Sequence, residues 1–154
     1  MDFITFDTPV GLMGLRGEGR AVTELYLPGR PMPPVAQHES PVLRKAYEQL
    51  MEYFERKRKV FDFPMEPRGT EFQRRVWNAL TEIPWGETRS YADIAAALGK
   101  PKAVRAVGGA NHHNPIAIFI PCHRVVGKNG SLTGYGGGLP LKEYLLKLEG
   151  VSLC

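Results

Sequence analysis

The sequence predicts an α+β fold in two parts: a small N-terminal antiparallel sheet with a helix over residues 1–65, then a winged helix-turn-helix-like domain over residues 66–154 that carries the only internal cysteine. Three observations predict it. Residues 2–27 hold three short apolar segments separated by Gly- and Pro-containing turns, the pattern of strands joined in a meander. Residues 70–110 hold three helical segments, each with its own start signal. Between them, the prolines of Phe63-Pro64 to Pro67-Arg68-Gly69 disfavour continuous helix and mark a boundary.

In chain order, strands are expected at Phe3–Asp7, Leu12–Arg16 and Ala21–Leu27, turning at Pro9-Val10-Gly11 and Gly17-Glu18-Gly19. Pro28, Pro31, Pro33 and Pro34 make an extended connector. Ser40 and Pro41 then read as N-cap and first residue of a helix in which Leu43, Tyr47, Leu50 and Phe54 share a face. The run Arg56-Lys57-Arg58-Lys59 suits the negative end of that helix dipole better than a nucleic-acid contact. Thr70 and Gln73 form a capping box opening the next helix, whose Phe72, Val76, Leu80 and Ile83 align. Ser90 and Asp93 cap a second, Tyr91–Leu98, closed by Gly99; Pro101 starts a third that runs to Ala110.

The last two helices form a helix-turn-helix signature, and the third is the expected reader of nucleic acid. Only Lys102 and Arg105 are long and polar on it, while Ala103, Ala106, Gly108, Gly109 and Ala110 offer a slim surface suited to a minor groove or to close core packing. Farther on, Asn129-Gly130 between Val125-Val126 and Ser131-Leu132 signals a hairpin wing. Gly134, Gly136, Gly137 and Gly138 around Tyr135 make a mobile loop, read as a lid. The last helix starts near Pro140, with Leu141, Leu145 and Leu148 on one face and Gly150 past its end.

The 154 residues are 43% apolar and 23% charged, ordinary for a globular chain. Lys plus Arg balance Asp plus Glu at 9 each in residues 1–65 but stand at 11 against 7 in residues 66–154, so the net +4 belongs to the second part. A basic C-terminal part suits a polyanion. No signal peptide or membrane span is read from the sequence, and two cysteines make no disulfide framework, so a reducing cytoplasm is expected; the protein is expected to be a monomer. Cys154, the last residue, reads as a frayed and incidental thiol.

Chemistry points to Cys122. Ile116–Ile120 is a β-branched apolar run that reads as a strand buried on both faces, stopped by Pro121 so that Cys122 stands exposed at its end. Free cysteines are commonly small buried hydrophobes, but His123 and Arg124 follow immediately, and cationic or hydrogen-bonding neighbours favour a thiolate. Adjacent residues do not face each other, so His123 is expected to reach the sulfur through a water or a bent backbone, its ring oriented by a carboxylate, with Glu149 the candidate.

Pro121-Cys122-His123-Arg124-Val125-Val126, preceded by Asn114-Pro115 and followed by Gly134-Tyr135 and Lys142-Glu143-Tyr144-Leu145-Leu146, resembles the O6-alkylguanine-DNA alkyltransferase family, also called methylated-DNA protein-cysteine methyltransferase. The likeness runs from about Thr70 to Gly150; residues 1–65 share only the family's layout. The resemblance implies binding of double-stranded DNA through its minor groove, rotation of an alkylated guanine out of the stack, and irreversible transfer of its alkyl group to Cys122, without a cofactor. O4-alkylthymine is a second candidate substrate. Carried over residue by residue, Arg105 fills the vacated stack, with Lys102, Ala106, Ala110, Ser90 and Arg124 as further DNA contacts. Tyr91 bonds N3 of the guanine beside the phosphate, the Gly136 amide donates to O6, and the carbonyls of Cys122 and Val125 accept from the exocyclic amine, with Tyr135 in the pocket wall. Asn114 ties the pocket to the turn after the cysteine, and Glu149 orients His123, which takes the thiol proton through a water.

Two departures carry consequences. Some members hold zinc in the N-terminal domain through cysteine and histidine, but residues 1–65 have no cysteine and only His38, which excludes that site; His112-His113 with Cys122 and His123 match no familiar ligand spacing, so no metal is expected. Serine often stands where this chain has Gly136, which leaves pocket closure open. A helix-turn-helix regulator would not use the thiol, a lesion sensor of this family lacks the cysteine, and a cysteine hydrolase would need a histidine distant in sequence.

Overall fold

The computed structural model describes residues 1–153; Cys154, read above as an incidental thiol, lies outside them. The chain divides into two compact units, Met1–Arg68 with Pro115–Ala117, and Gly69–Asn114 with Ile118 onward.

The first unit is the expected meander. Strands β1 (Asp2–Thr8), β2 (Gly11–Glu18) and β3 (Ala21–Tyr26) pair antiparallel in the order β1-β2-β3, with a bulge at Arg16/Gly17. Alternation along the strands places Phe3, Met13, Leu15, Val22 and Leu25 in the core. Helix α1 (Pro41–Phe54) starts as expected, Ser40 Oγ accepting from the Leu43 amide, and buries Leu43, Ala46, Leu50 and Tyr53. Buried apolar side chains of this size contribute about 1.5–3 kcal/mol each. Two backbone segments extend the β3 edge: Val22 brackets Met65 through bonds to Pro64 O and from Glu66 N, and Leu25 N donates to Pro115 O at 2.9 Å.

The second unit is mostly helical. Helix α2 (Glu71–Leu80) carries the complete Thr70/Gln73 capping box and buries Val76, Trp77 and Leu80. Helix α3 (Tyr91–Ala97) has the Ser90/Asp93 box, and Gly99 beyond its end adopts φ +74°, the left-handed conformation that glycine takes without strain. Helix α4 spans Val104–His112, so it begins three residues later than Pro101, and Pro101 and Lys102 form a turn before it. The Trp77 indole donates to Ala110 O at 2.8 Å, tying α2 to α4 and satisfying a polar group that burial would otherwise penalise. Helix α5 (Leu139–Leu148) buries Leu141, Leu145 and Leu146, and Gly150 follows at φ +83°.

Two expectations fail here. Residues 116–120 are all buried but form no strand: they straddle the two units as a tight turn in which Ile118 takes φ +73°, a strained conformation for a β-branched residue. The wing is also incomplete. Asn129 and Gly130 do turn at φ +67° and +78° and Gly127 N bonds Ser131 O, yet Ser131-Leu132 is no strand. Val125–Val126 (β5) instead pairs in parallel with Arg89–Ser90 (β4). Among the described residues no helix is long and apolar enough to cross a membrane, and no group of three or more metal-ligating side chains occurs.

Candidate active site and nucleic-acid interface

The backbone at Cys122 is folded twice in succession. Pro121 sits at φ −80° and ψ 64° with Cys122 N bonded to Ile120 O at 2.8 Å, an inverse γ-turn. A 3-10 turn over Cys122–Arg124 follows, closed by Arg124 N to Pro121 O at 3.0 Å. This double turn draws the cysteine inward: Cys122 is only 4% exposed, not presented at a strand's end as expected.

Its two successors converge on one carboxylate. His123 Nε2 donates to Glu149 Oε2 at 2.6 Å, while Arg124 donates from Nε to Oε1 at 2.8 Å and from Nη2 to Oε2 at 3.1 Å. Arg124 Nη1 completes its set on Ile83 O at 2.6 Å. All three side chains are buried, with Glu149 on the residue that caps the end of α5. Burial alone would raise the Glu149 pKa, but the hydrogen bonds and charges of His123 and Arg124 overturn it and hold the carboxylate at about 2. Burial lowers His123 below its ordinary value despite Glu149, so the imidazole is neutral at pH 7. With Nε2 donating to Glu149, the lone pair lies on Nδ1, which makes no hydrogen bond among the described residues.

The thiol itself is pushed up by burial; Asn114, Lys142, the turn backbone and Tyr135 pull the other way without reversing it. The resting cysteine is therefore a protonated thiol that needs a base, rather than the standing thiolate its cationic neighbours suggest. Asn114 Nδ2 also holds Ile120 O at 2.8 Å, the carbonyl two residues before the cysteine. Tyr135 tucks its hydroxyl into the interior, where burial and then the Cys122 thiolate oppose its ionisation.

Tyr91 opens α3 with its ring against the Gly108 position of α4, where a Cβ would lie 3.9 Å from Cδ1, and its hydroxyl meets Thr133 Oγ1 at 2.6 Å. Val125 O accepts from Lys142 Nζ at 2.6 Å, and Cys122 O lies 3.4 Å from Asn111 Nδ2. Gly136 is exposed with open space where a Cβ would stand.

On the helix-turn-helix, Arg105 and Ala106 lie on the exposed face of α4, and Lys102 is exposed just before it. Ser90 is half-buried and its hydroxyl caps α3 by accepting from Asp93 N at 3.0 Å. Two expected DNA contacts are not on this surface. Ala110 is 3% exposed because the helix turns it toward Trp77, and Arg124 is 5% exposed with its guanidinium engaged by Glu149 and Ile83. A separate groove between α2 and α3, lined by Arg75, Glu82, Arg89, Asp93 and Ala97, contains none of the reactive groups.

Sequence reasoning missed Lys142, Asn111 and Thr133. For Lys142 a signal existed: it precedes Leu145, Leu146 and Glu149 by three, four and seven residues, which places two charged side chains on the apolar stripe of α5.

The chain matches the family model described as 6-O-methylguanine DNA methyltransferase, DNA binding domain, over residues 71–151. It is 49% identical to the methylated-DNA–protein-cysteine methyltransferase of Methanosarcina acetivorans, covering 97% of this chain and 99% of that one. It is 47% identical to the constitutive enzyme of that name from Bacillus subtilis, covering 97% and 96%. Its fold superposes on the crystal structure of Mycobacterium tuberculosis OGT in complex with DNA with a TM-score of 0.90 at 47% identity, over 97% of this chain and 92% of that chain. With a buried cysteine, a histidine–glutamate pair and a helix-turn-helix already in place, these likenesses show that the chain belongs to the methylated-DNA–protein-cysteine methyltransferase family.

Proposed function

We propose that this protein repairs DNA by direct reversal, moving the alkyl group of O6-alkylguanine in duplex DNA irreversibly onto Cys122, once per molecule. One observation carries the reading: Cys122 shares a three-residue turn with His123, whose Nε2 is held by Glu149 and whose Nδ1 has no partner among the described residues. The neutral imidazole takes the thiol proton through a water, and the Glu149 carboxylate stabilises the imidazolium that results. The thiolate then attacks the alkyl carbon in line. The S–C bond forms, the C–O6 bond breaks, and its electron pair leaves with the guanine. Donors to the leaving purine offset that charge: the Tyr91 hydroxyl at N3, after exchanging Thr133 for the base, and the Gly136 amide at O6. The carbonyls of Cys122 and Val125 each keep a second lone pair for the exocyclic amine beside Asn111 and Lys142. Water does not cleave the resulting thioether, so the chemistry stops after one event, and no cofactor enters it.

A methyl carbon in a base stack is out of reach of a buried sulfur, so the base must be flipped. The exposed face of α4, with Arg105 and Ala106, is the surface proposed for the minor groove, and Arg105 makes no hydrogen bond or ion pair among the described residues that would hold it back. Lys102 and Ser90 flank that face. Residues 66–154 are the proposed DNA-binding and transfer domain, residues 1–65 an N-terminal domain, and the working form a cytoplasmic monomer. O4-alkylthymine is a further proposed substrate. The test is peptide mass spectrometry after incubation with duplex DNA bearing O6-methylguanine: the methyl group should be found on Cys122, and a methyl found on Cys154, or none on the protein while the lesion disappears, overturns the proposal.

A further inference from the structure

Lys142 is the strangest side chain in the site. It is fully buried, and among the described residues its Nζ has only carbonyl partners, Val125 O at 2.6 Å and Thr133 O at 3.3 Å. No carboxylate lies within ion-pair distance of it among the described residues, because Glu149 is engaged by Arg124 and His123. Buried lysines are rare unless paired, and two neutral dipoles do not neutralise a charge. Counting the buried groups, Arg124 and Glu149 cancel, His123 is neutral, and Lys142 remains as an excess positive charge for as long as Cys122 keeps its proton. When the proton leaves, the thiolate supplies the missing negative charge.

We propose that Lys142 is a positioning residue for alkyl transfer, the counter-cation that balances the Cys122 thiolate and ties Val125 to Thr133, the partner of the Tyr91 hydroxyl. This rests on the transfer reading above and deepens it. Every titratable group facing the thiol fits. From the turn come His123 and Arg124, from the glycine-rich loop Tyr135, and from the two ends of α5 Lys142 and Glu149; among these described residues Lys142 alone brings a cation without an anion of its own. The influence is mutual: burial lowers the Lys142 pKa to about 8, and the thiolate acts to raise it.

The experiment compares Lys142→Met, which removes charge and hydrogen bonds, with Lys142→Gln, which keeps a donor but not the charge. Iodoacetamide trapping of Cys122 across pH reads thiol ionisation without DNA, so it stands apart from the transfer reading. Both variants should move the trapping midpoint upward, leaving about 10- to 100-fold less thiolate at neutral pH, and should slow methyl transfer by a like factor. A midpoint at the wild-type value in either folded variant overturns the proposal. If neither variant folds, the wild type carries the test through the Nζ resonance of Lys142 before and after Cys122 is capped by iodoacetamide: capping removes the thiolate, so the lysine midpoint should fall, and an unmoved midpoint overturns the proposal. Wild-type protein that traps normally but transfers no methyl group would refute the transfer reading instead.

Discussion

Replacing Glu149 with glutamine tests the buried relay on two axes at once. The carboxylate accepts from His123 Nε2 at 2.6 Å and from Arg124 Nε and Nη2 at 2.8 and 3.1 Å. Glutamine has one acceptor oxygen, and its amide nitrogen would face N–H donors, so Arg124 is left buried and charged with Ile83 O. Removing one member of a buried ion pair costs about 3–5 kcal/mol. Linkage gives the same scale. Glu149 is held at about 2 against an ordinary 4.5, so its contribution is fully present above pH 4.5 and is lost as pH falls through 2, amounting to about 3 kcal/mol. Thermal unfolding at neutral pH should therefore drop by about 6–12 °C in Glu149→Gln. The wild type should lose its advantage between about pH 4.5 and 2, where the variant's stability is flatter. Methyl transfer, measured where both proteins are folded, should slow by about 10- to 10,000-fold. Equal stability of the two proteins at pH 7, or the same acid dependence, would refute the idea that this carboxylate holds the arginine and histidine.

The other predictions separate DNA handling from chemistry. Arg105→Ala should slow repair in duplex DNA by about 10- to 1,000-fold, since unstacking costs a few kcal/mol, while reaction with the free modified base stays near the parent rate; equal loss on both substrates would place Arg105 in the pocket or the fold. Cys122→Ser should lose transfer yet still bind lesion-bearing duplex in a gel-shift titration, because an alcohol ionises far less readily than a thiol. Gly136→Ser should fold normally, within about 0.5 kcal/mol of the parent by denaturant titration, since a Cβ there meets open space; a larger loss would mean the loop closes more tightly than its geometry indicates.

What could be read from sequence was what local chemistry dictates. The capping boxes at Thr70/Gln73 and Ser90/Asp93, the Gly99 stop, and the α1 start at Ser40-Pro41 all appear where their side chains demand them. Glu149 was legible as the carboxylate beside His123, and the structure has the two side chains hydrogen-bonded at 2.6 Å. Where a side chain points was less legible. Ile116–Ile120 has the composition of a buried strand, but the same composition serves a buried turn, and only tertiary context decides. Burial of Cys122 follows from two consecutive tight turns that no periodicity announces. Arg124 read as a surface cation because its partner lies 25 residues away. Ala110 read as a slim contact for a groove, though small residues in a helix serve core packing equally well, and here Trp77 lies against it.

The central claim is that Cys122 is consumed as it repairs. The most direct measurement is the stoichiometry of transfer: limiting protein is mixed with excess duplex DNA carrying radiolabelled O6-methylguanine, and label on the protein is followed to completion. The account expects a single burst that ends at one methyl group per chain, with no further loss of lesion and with all label on the Cys122 peptide. Continued lesion loss beyond one equivalent, or a burst that survives in Cys122→Ala, would contradict it.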